Sequence, residues 1–262
     1  MLKILIRTAL AILLSLAYPA QQLLAADTSK VLKLASSSWP PYADQTMPEK
    51  GAGMDIVTQV LKRAGYSTEI TIGPWPRVLQ GASIGIYDAI ATAWYTPERN
   101  KTLYFSDPYF ENVIRFVKLR NRPIKFRSLA DLNGLLVGYV TDYAYGEEFN
   151  AATNFVKIPS NHVIQNLLLL QRGRIDLTLG DRWVIRNELT NYLPNSISDF
   201  EFVGQPVAKR QMHMAVSRSR PDHKQIAEAF NKALKEMRAD GSYEKILNKY
   251  RTRLAPLAES PL

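Results

Sequence analysis

An arginine at the start of a predicted helix is the first residue whose position suggests chemistry. In Thr96-Pro97-Glu98-Arg99, threonine stands at the N-cap position and proline at the first helical position, directly after an apolar run. A helix N-terminus supplies backbone N–H groups and partial positive charge, and the forked guanidinium of arginine suits a carboxylate. The motif therefore predicts an anion site. The alternative is a surface Arg99 that pairs with Glu98 or Asp107.

A carboxylate follows a predicted strand in the second half of the chain. Asp181 comes directly after the run at residues 177–180 and before a predicted helix at residues 183–189. Its side chain can accept the ammonium group of a ligand, or it can act as the N-cap of that helix. Both interpretations stay open, because different oxygen atoms can hold the two roles.

The four tryptophans fall at predicted junctions that follow strands. Large flat side chains at such loops commonly build binding sites, since they supply apolar area and faces that attract cations. Packing beneath the loops is the alternative for one or two of them. The sequence thus predicts an aromatic-walled binding site, and its candidate residues are Trp39, Trp75, Trp94 and Trp183.

The elements that must position these residues alternate between short β-rich runs and amphipathic helices. A predicted strand at residues 31–35 is followed by a helix at 53–64, which ends at Gly65, and then by a strand at 68–72. This alternation is typical of an α/β fold.

Further helices are predicted in the second half of the chain. One begins after Ser160 as its N-cap, is apolar through residues 167–170 and ends at Gly173. Two more are predicted near residues 222–238 and 243–251. The chain therefore closes on helices rather than on strands.

One short pattern occurs in both halves of the chain. Gly85-Ile86-Tyr87-Asp88 leads into an apolar run at residues 89–93, and Gly173-Arg174-Ile175-Asp176 leads into another at 177–180. Each reads as a helix, a glycine turn, an aspartate and a buried strand. Two such units predict two similar lobes, each presenting the carboxyl end of a strand, where open α/β sheets bind ligands. A common loop type that occurs twice by chance is the alternative.

The N-terminal residues resemble a cleavable secretory signal spanning residues 1–26. Lys3 and Arg7 precede an apolar run at residues 9–17, which is followed by Pro19 and by small residues ending at Ala25-Ala26. The run is shorter than the roughly 20 residues that a membrane-spanning helix needs. We therefore expect a soluble, exported protein located in the periplasm.

Composition excludes several classes of function. The chain has no cysteine, which excludes disulfides, thiol catalysis, cysteine-based zinc sites and a lipid-modified N-terminal cysteine. Without Lys3 and Arg7, 31 basic and 24 acidic residues leave a net charge of +7. This charge is scattered and forms no basic stripe with aromatic residues, so we expect no nucleic-acid partner.

Nine stretches together resemble the family 3 extracellular solute-binding proteins, which serve the uptake of polar amino acids. Each motif is weak alone, but they occur in the expected order over nearly the whole mature chain. The stretches are Trp39-Pro40-Pro41-Tyr42, Gly53-Met54-Asp55, Trp75 with the helix leading to Asp88, Thr96-Pro97-Glu98-Arg99, Phe105-Ser106-Asp107-Pro108-Tyr109, Asp131-Leu132-Asn133-Gly134, Gly173 to Asp181, Asp240-Gly241-Ser242-Tyr243 and Lys249-Tyr250.

The resemblance implies a two-lobe α/β fold of the periplasmic-binding-protein class (Venus-flytrap, type II) with two hinge strands. The chain would cross between lobes near residues 112–118 and 213–217. Lobe 1 would comprise residues 27–112 with 216–262, and lobe 2 residues 113–215. Closure of the cleft between the lobes would trap the ligand.

The resemblance also implies roles for individual residues. Arg99 would bind the α-carboxylate of the ligand and Asp181 its α-amino group, while Trp39 and Trp75 would enclose its side chain. Tyr143 would close over the ligand from lobe 2.

Several positions depart from the family pattern. Trp94 stands where a small hydroxyl residue normally helps to bind the carboxylate, so Thr92 is a candidate for the missing hydroxyl group. Asp142-Tyr143 replaces a glycine-threonine pair. These departures favour an amino-acid-like ligand over a standard amino acid in the standard pose. Further candidate contacts are Tyr42, Asp142, Trp183 and Arg77, and a solvent-facing Arg77 is the alternative.

The sequence therefore predicts a periplasmic solute-binding protein, expected to be a monomer. It would capture an amino acid or a related charged small molecule and deliver it to the permease of an ABC transporter. We expect no cofactor, and no metal because His162, His213 and His223 lack metal-ligand spacing. The alternatives are a ligand-sensing protein and an enzyme resembling cyclohexadienyl dehydratases, whose nearest candidate acids would be Glu147 and Asp142.

Overall fold

The structure, a computed structural model, describes residues 30–258, with side-chain surroundings described through residue 251. The predicted signal segment, residues 1–26, lies outside the described residues. From Val31 onward the chain belongs to one structural unit. None of the helices in the described part is both long and apolar enough to cross a membrane.

Strands and helices alternate through the described residues, as predicted. The strands are β1 Lys30–Ser37, β2 Tyr66–Gly73, β3 Ala89–Trp94, β4 Leu103–Phe105, β5 Phe110–Leu119, β6 Leu136–Val140, β7 Val156–Ser160, β8 Leu177–Asp181 and β9 Phe200–Ser217. The α-helices are α1 Ala52–Arg63, α2 Trp75–Ser83, α3 Pro97–Asn100, α4 Glu147–Ala151, α5 Val163–Gln171, α6 Arg182–Tyr192, α7 His223–Ala239 and α8 Ser242–Ala258. Short 3-10 turns lie at Pro48–Lys50, Leu129–Leu132 and Pro194–Asp199.

The strands pair in the order β2-β1-β3-β9-β5-β8-β6-β7, and β4 also pairs with β9. Two groups of strands contain parallel pairs, β1 with β3 in one group and β6 with both β7 and β8 in the other. The antiparallel pair β5 and β9 lies between the groups. The carboxyl ends of parallel strands from both groups are therefore available to build one cleft.

Strands β5 and β9 are shared by the two groups. They pair from Phe110 opposite Met212 to Leu119 opposite Phe200. The last part of β9 also pairs with β3, and the middle of β5 pairs with β8. The predicted crossings at residues 112–118 and 213–217 fall within these two strands, while the exact lobe boundaries stay predictions.

The repeated aspartate has the same structural role in both groups. Asp88 accepts a hydrogen bond from the backbone N–H of Lys33 in β1 at 2.7 Å and pairs with Arg220 at 2.7 Å. Asp176 accepts one from the N–H of Leu136 in β6 at 2.9 Å and pairs with Arg122 at 2.6 Å. The sequence repeat therefore marks two equivalent turns, each of which ties the start of one strand to its parallel neighbour.

Helix ends follow the sequence signals with one exception. Gly65 and Gly173 have positive φ values of 83° and 66°, the conformation that glycine adopts most readily after a helix. The predicted N-cap at Ser160 is wrong. Ser160 ends β7 and its hydroxyl donates to the carbonyl of Tyr139, while His162 caps α5.

The core lies between the sheet and the helices. All six residues of β3 are buried, and α1 directs an apolar face against the same group of strands. Helices α7 and α8 add Phe230, Leu234 and Leu247 to the buried cluster. Each fully buried side chain of this size contributes roughly 1.5–3 kcal/mol, so the strand ends that carry the site are firmly supported.

Candidate ligand-binding site

Six predicted site residues meet around one cavity of about 300 Å³. They come from the loop after β1, the start of α2, the end of β3, the turn of α3 and the loop between β6 and α4. The cavity therefore lies where the carboxyl ends of strands from both groups converge. Its lining residues are Ser37, Trp39, Trp75, Thr92, Trp94, Arg99 and Tyr143.

A larger space adjoins this cavity and shares Ser37, Trp75 and Tyr143 with it. It is open to solvent and spans about 1200 Å³ between residues 72–76 on one side and residues 140–143 on the other. The small cavity is therefore the inner end of a cleft between the two groups of strands.

Three aromatic rings form nearly perpendicular walls. The ring centroids of Trp39 and Trp94 are 5.3 Å apart with planes at 84°, and those of Trp94 and Tyr143 are 5.6 Å apart at 78°. Trp39 and Tyr143 are 6.1 Å apart, also at 78°. Edge-to-face pairs of this kind are favourable beyond their burial. In this conformation Tyr143 therefore lies against both tryptophans and narrows the cavity.

The backbone and one buried side chain hold these rings in place. The N–H of Trp39 donates to the carbonyl of Ala43 at 2.6 Å across a tight turn that contains a cis Pro40-Pro41 bond. The indole N–H of Trp94 donates to Oδ1 of Asn112 at 2.9 Å. Asn112 is fully buried in β5. Hydrogen bonds within the protein thus hold the backbone of Trp39 and the ring of Trp94.

Arg99 places a positive charge at the edge of the cavity. Its guanidinium lies 4.7 Å from the centroid of Trp75, and Nη1 and Nη2 donate to the carbonyls of Trp94 at 2.9 Å and Asp142 at 2.7 Å. Burial lowers its pKa to about 10, so the group stays charged at neutral pH. Within residues 30–251, no carboxylate forms an ion pair with it, and Glu98 instead pairs with Lys101. The alternative of a surface ion pair is therefore wrong.

The predicted N-cap before Arg99 is confirmed. Oγ1 of Thr96 accepts the backbone N–H of Arg99 at 3.1 Å. However, α3 is only one turn long, so its dipole offers little to an anion. The positive charge available to a ligand is that of the Arg99 side chain.

Thr92 lines the floor of the cavity and is buried. Its hydroxyl shares a 2.6 Å hydrogen bond with the hydroxyl of Ser36. A Cβ atom on Gly53 would come within 2.8 Å of the Thr92 methyl group, so glycine at that position permits the close approach of α1. A hydroxyl can donate and accept at once, so Thr92 keeps hydrogen-bonding capacity for a ligand.

Asp181 is buried and is not among the residues that line the cavity. The predicted N-cap role is confirmed, because Oδ1 accepts the N–H groups of Trp183 and Val184. Burial raises the pKa of this carboxyl, while the hydrogen bonds oppose the rise. Its five donors are the backbone N–H groups of Trp183 (2.9 Å), Val184 (3.2 Å) and Val113 (3.2 Å), the Tyr42 hydroxyl (2.9 Å) and the Asn112 amide (3.2 Å).

Comparison with known proteins places this architecture in a family. The sequence profile of the bacterial extracellular solute-binding proteins, family 3, matches residues 32–253. The chain belongs to this family. The resemblance predicted from the motifs is thereby confirmed.

Individual solute-binding proteins agree with the assignment. The ABC transporter arginine-binding protein 1 of Escherichia coli (strain K12) is 26% identical over 224 residues, covering 82% of this chain and 88% of that protein. The histidine-binding periplasmic protein of Salmonella typhimurium (strain LT2) is 29% identical over 209 residues, covering 76% and 78%. An ancestral arginine-binding protein solved with arginine matches with a TM-score of 0.72 at 24% identity, covering 84% and 97%. The two-lobe fold with hinge strands is therefore confirmed.

The remaining candidate residues of this solute-binding protein lie outside the inner cavity. Tyr42 packs behind Trp39, with ring centroids 4.9 Å apart. Asp142 has a left-handed φ of 62° and contributes its backbone carbonyl to Arg99, while its side chain is exposed. Trp183 lines a separate cavity beside β5, and Arg77 is exposed.

Three residues near the site escaped sequence analysis. Ser37 lines the cavity, and Asn112 joins Trp94 to Asp181. A polar residue in a strand that is otherwise largely apolar is the signal that could have revealed Asn112. Glu188 on α6 is only 7% exposed, and burial, followed by the charge of Asp44, raises its pKa to about 7. No sequence signal marked it.

Metal chemistry has no support in this region. In residues 30–258, no group of three or more histidine, aspartate or glutamate side chains could hold a metal ion. The site instead combines one guanidinium, the hydroxyls of Ser37, Thr92 and Tyr143, and aromatic faces. Such a set can bind an anionic group beside an apolar or cationic body.

Proposed function

We propose that this solute-binding protein captures an amino acid or an amino-acid-like charged small molecule for uptake by an ABC transporter. The observation that carries the proposal is the charged Arg99 at the edge of an aromatic cavity. Within residues 30–251, its guanidinium contacts two carbonyl oxygens and the face of Trp75 and forms no ion pair with a carboxylate. A carboxylate would supply the missing countercharge and would replace neutral acceptors by charged ones. Relatives named for arginine and histidine binding support this proposal.

Ligand capture would use contacts that span the cleft. Arg99 and Trp39 follow strands of one group, whereas Asp142 and Tyr143 follow β6 of the other. A ligand between them would exchange the contact of Arg99 with the Asp142 carbonyl for a carboxylate and would touch Tyr143 as the cleft closes. Closure would be driven by the higher affinity of the closed state for the ligand.

The cellular setting belongs to the same proposal. We infer export to the periplasm by the predicted signal at residues 1–26 and delivery of the solute by a monomer to an ABC transporter permease. The family description as extracellular solute-binding proteins supports this setting.

A thermal-shift screen tests the proposal. We expect at least one amino acid or related carboxylate to stabilise the protein, by about 2.7 kcal/mol when present at 100 times its dissociation constant. Arg99→Ala should abolish that shift, because a buried carboxylate would lose its charged partner. Arg77→Ala, which removes an exposed arginine from the nearby helix α2, is the matched control and should leave the shift intact. A shift that survives in Arg99→Ala would refute the proposed role of Arg99.

We also propose that the solute is bound without chemical change. General acid catalysis of a dehydration requires a carboxylic acid that is held protonated near the leaving group. Both sequence candidates, Glu147 and Asp142, have exposed side chains, and neither lines the inner cavity. Incubation with prephenate should leave its absorbance unchanged, and a progressive loss would support the enzymatic alternative.

A further inference from the structure

A second cavity lies next to the aromatic walls of the ligand site and has no part in the proposed capture of the solute. It spans about 670 Å³, is open to solvent and is lined by the start of α1, the start of β5, the start of α6 and helix α8. Tyr42 also lines it and packs against Trp39 of the inner cavity. The linings of the two cavities nevertheless share no residue.

The inner part of this second cavity is aromatic. Tyr42 and Tyr250 are 2% and 4% exposed, and the ring centroid of Phe110 lies 5.4 Å from that of Tyr42. The hydroxyl of Tyr42 donates to Asp181 at 2.9 Å. The hydroxyl of Tyr250 donates to Asp55, also at 2.9 Å. These bonds occupy the hydroxyl donors, so both side chains contribute mainly ring surface, as is typical of sites for small molecules.

The mouth of the cavity pairs a guanidinium with an indole. Arg182 is exposed, and its guanidinium lies 5.0 Å from the centroid of the Trp183 ring. The same arrangement occurs at the ligand site, where the guanidinium of Arg99 lies 4.7 Å from the centroid of Trp75. Stacking of this kind orders a guanidinium and leaves its in-plane N–H donors available to an anion.

The charge of Arg182 is the one that is not balanced in this lining. Glu111 pairs with Lys209 at 3.3 Å. Arg251 pairs with Glu244 at 3.0 Å. Among the described residues, no carboxylate forms an ion pair with Arg182, so the cavity presents a net positive charge at its mouth.

Two further arginines add to this positive potential. Burial, followed by the charge of Arg182, lowers the pKa of both Arg115 and Arg186. Nη2 of Arg115 donates to the carbonyl of Gly204 at 2.7 Å, whereas its buried Nε has no hydrogen-bond partner among the described residues. Like charges that act on one another in this way are stabilised by an anion.

We propose that this cavity is a second binding site, specific for a small aromatic anion such as an aromatic carboxylate. The anionic group would bind the guanidinium of Arg182, and the flat body would pack against Trp183 and the aromatic rings of the inner part. This ligand is distinct from the transported solute, and the proposal does not depend on the identity of that solute.

The test uses the Arg99→Ala variant, so that the inner cavity no longer offers its positive charge to the probe. Three probes of similar shape are titrated by isothermal titration calorimetry: the anion 2-naphthoate, the neutral 2-naphthamide and the cation 2-naphthylmethylammonium. We expect one molecule of 2-naphthoate to bind per chain, about threefold more tightly than the amide, as for an exposed ion pair. The cation should bind most weakly. Absence of 2-naphthoate binding, or equal affinity for the three probes, would overturn the proposal.

Two further substitutions in the same background locate the bound probe. Arg182→Gln should raise the dissociation constant of 2-naphthoate to that of the amide and leave the amide's own unchanged. Trp183→Ala should weaken the binding of both by up to about tenfold, because a stacked ring is lost. Arg77→Gln, which removes another exposed arginine, is the matched control and should change neither. An unchanged affinity for 2-naphthoate in Arg182→Gln or in Trp183→Ala would place the probe elsewhere and overturn the proposal.

Discussion

At the level of single residues, the site is defined by Arg99, which has no carboxylate partner among the described residues. Its guanidinium is half-buried against Trp75, and among the described residues it donates to carbonyls rather than to a carboxylate. Charged groups are costly to bury without an opposite charge, so such an arrangement favours an anionic ligand. Residue types and positions were sufficient to predict Arg99 and three cavity tryptophans from the sequence. They could not show that Asp181 is saturated, because its donors include Tyr42 and Asn112, which are distant in sequence.

The stacking of Arg99 on Trp75 gives a prediction about affinity. Trp75→Ala removes the face under the guanidinium, which should weaken ligand binding about tenfold, in line with a partly desolvated cation–π contact. Selectivity among ligands should also fall, while some charge-dependent binding survives. Trp183→Ala is the matched control, because Trp183 lines a different cavity. The dissociation constant of the ligand should be the same for this variant as for the wild type. Equal losses of affinity in the two variants, measured by calorimetric titration, would argue against binding of the ligand in the inner cavity.

Glu188 gives a prediction about pH. Its pKa is raised to about 7 from 4.5 in the folded protein, so the folded state binds its proton more readily than the unfolded state. The free energy of unfolding should therefore decrease as pH rises from about 4.5 to 7. Glu188→Gln removes this dependence. The free energy of unfolding of this variant, relative to that of the wild type, should rise by up to about 3 kcal/mol between pH 4 and pH 8. Parallel stability profiles for the two proteins in urea unfolding would contradict the burial of a titrating Glu188.

At the scale of secondary structure, strand ends and turns place the site residues. The glycine-aspartate repeat predicted two equivalent units, and the structure shows the same hydrogen bond from a neighbouring strand at Asp88 and at Asp176. Helix ends at Gly65 and Gly173 were predictable because glycine tolerates positive φ. The N-cap of α5 was not, since Ser160 extends β7 instead. Local sequence could not reveal that the pairing of β7 with β6 continues to that residue.

The two equivalent aspartates give a prediction about stability. Asp88→Ala and Asp176→Ala should each lower the free energy of unfolding by about 1–3 kcal/mol, because each removes a charged acceptor from a strand N–H and an arginine. The residues share no partner, so the losses should add in the double variant to within about 0.5 kcal/mol. Urea unfolding of the four proteins measures both effects. If one of the two substitutions left the free energy of unfolding unchanged and the other lowered it, the two turns would not be equivalent.

At the scale of the whole molecule, two strands connect the groups that form the cleft. The order of elements and the family motifs predicted a two-lobe fold, and pairing of β5 and β9 with strands of both groups provides its hinge elements. The contact of Tyr143 with Trp39 and Trp94 could not be predicted, because it depends on how the strand groups meet. The same contact explains why the inner cavity is small in this conformation.

A crystal structure of the protein with the ligand that gives the largest thermal shift would locate the bound carboxylate. We expect this carboxylate within hydrogen-bonding distance of the Arg99 guanidinium, with the rest of the ligand between Trp39, Trp94 and Tyr143. Electron density for the ligand at another place, such as the cavity beside Trp183, or a bound ligand that leaves Arg99 on the carbonyls of Trp94 and Asp142, would contradict it.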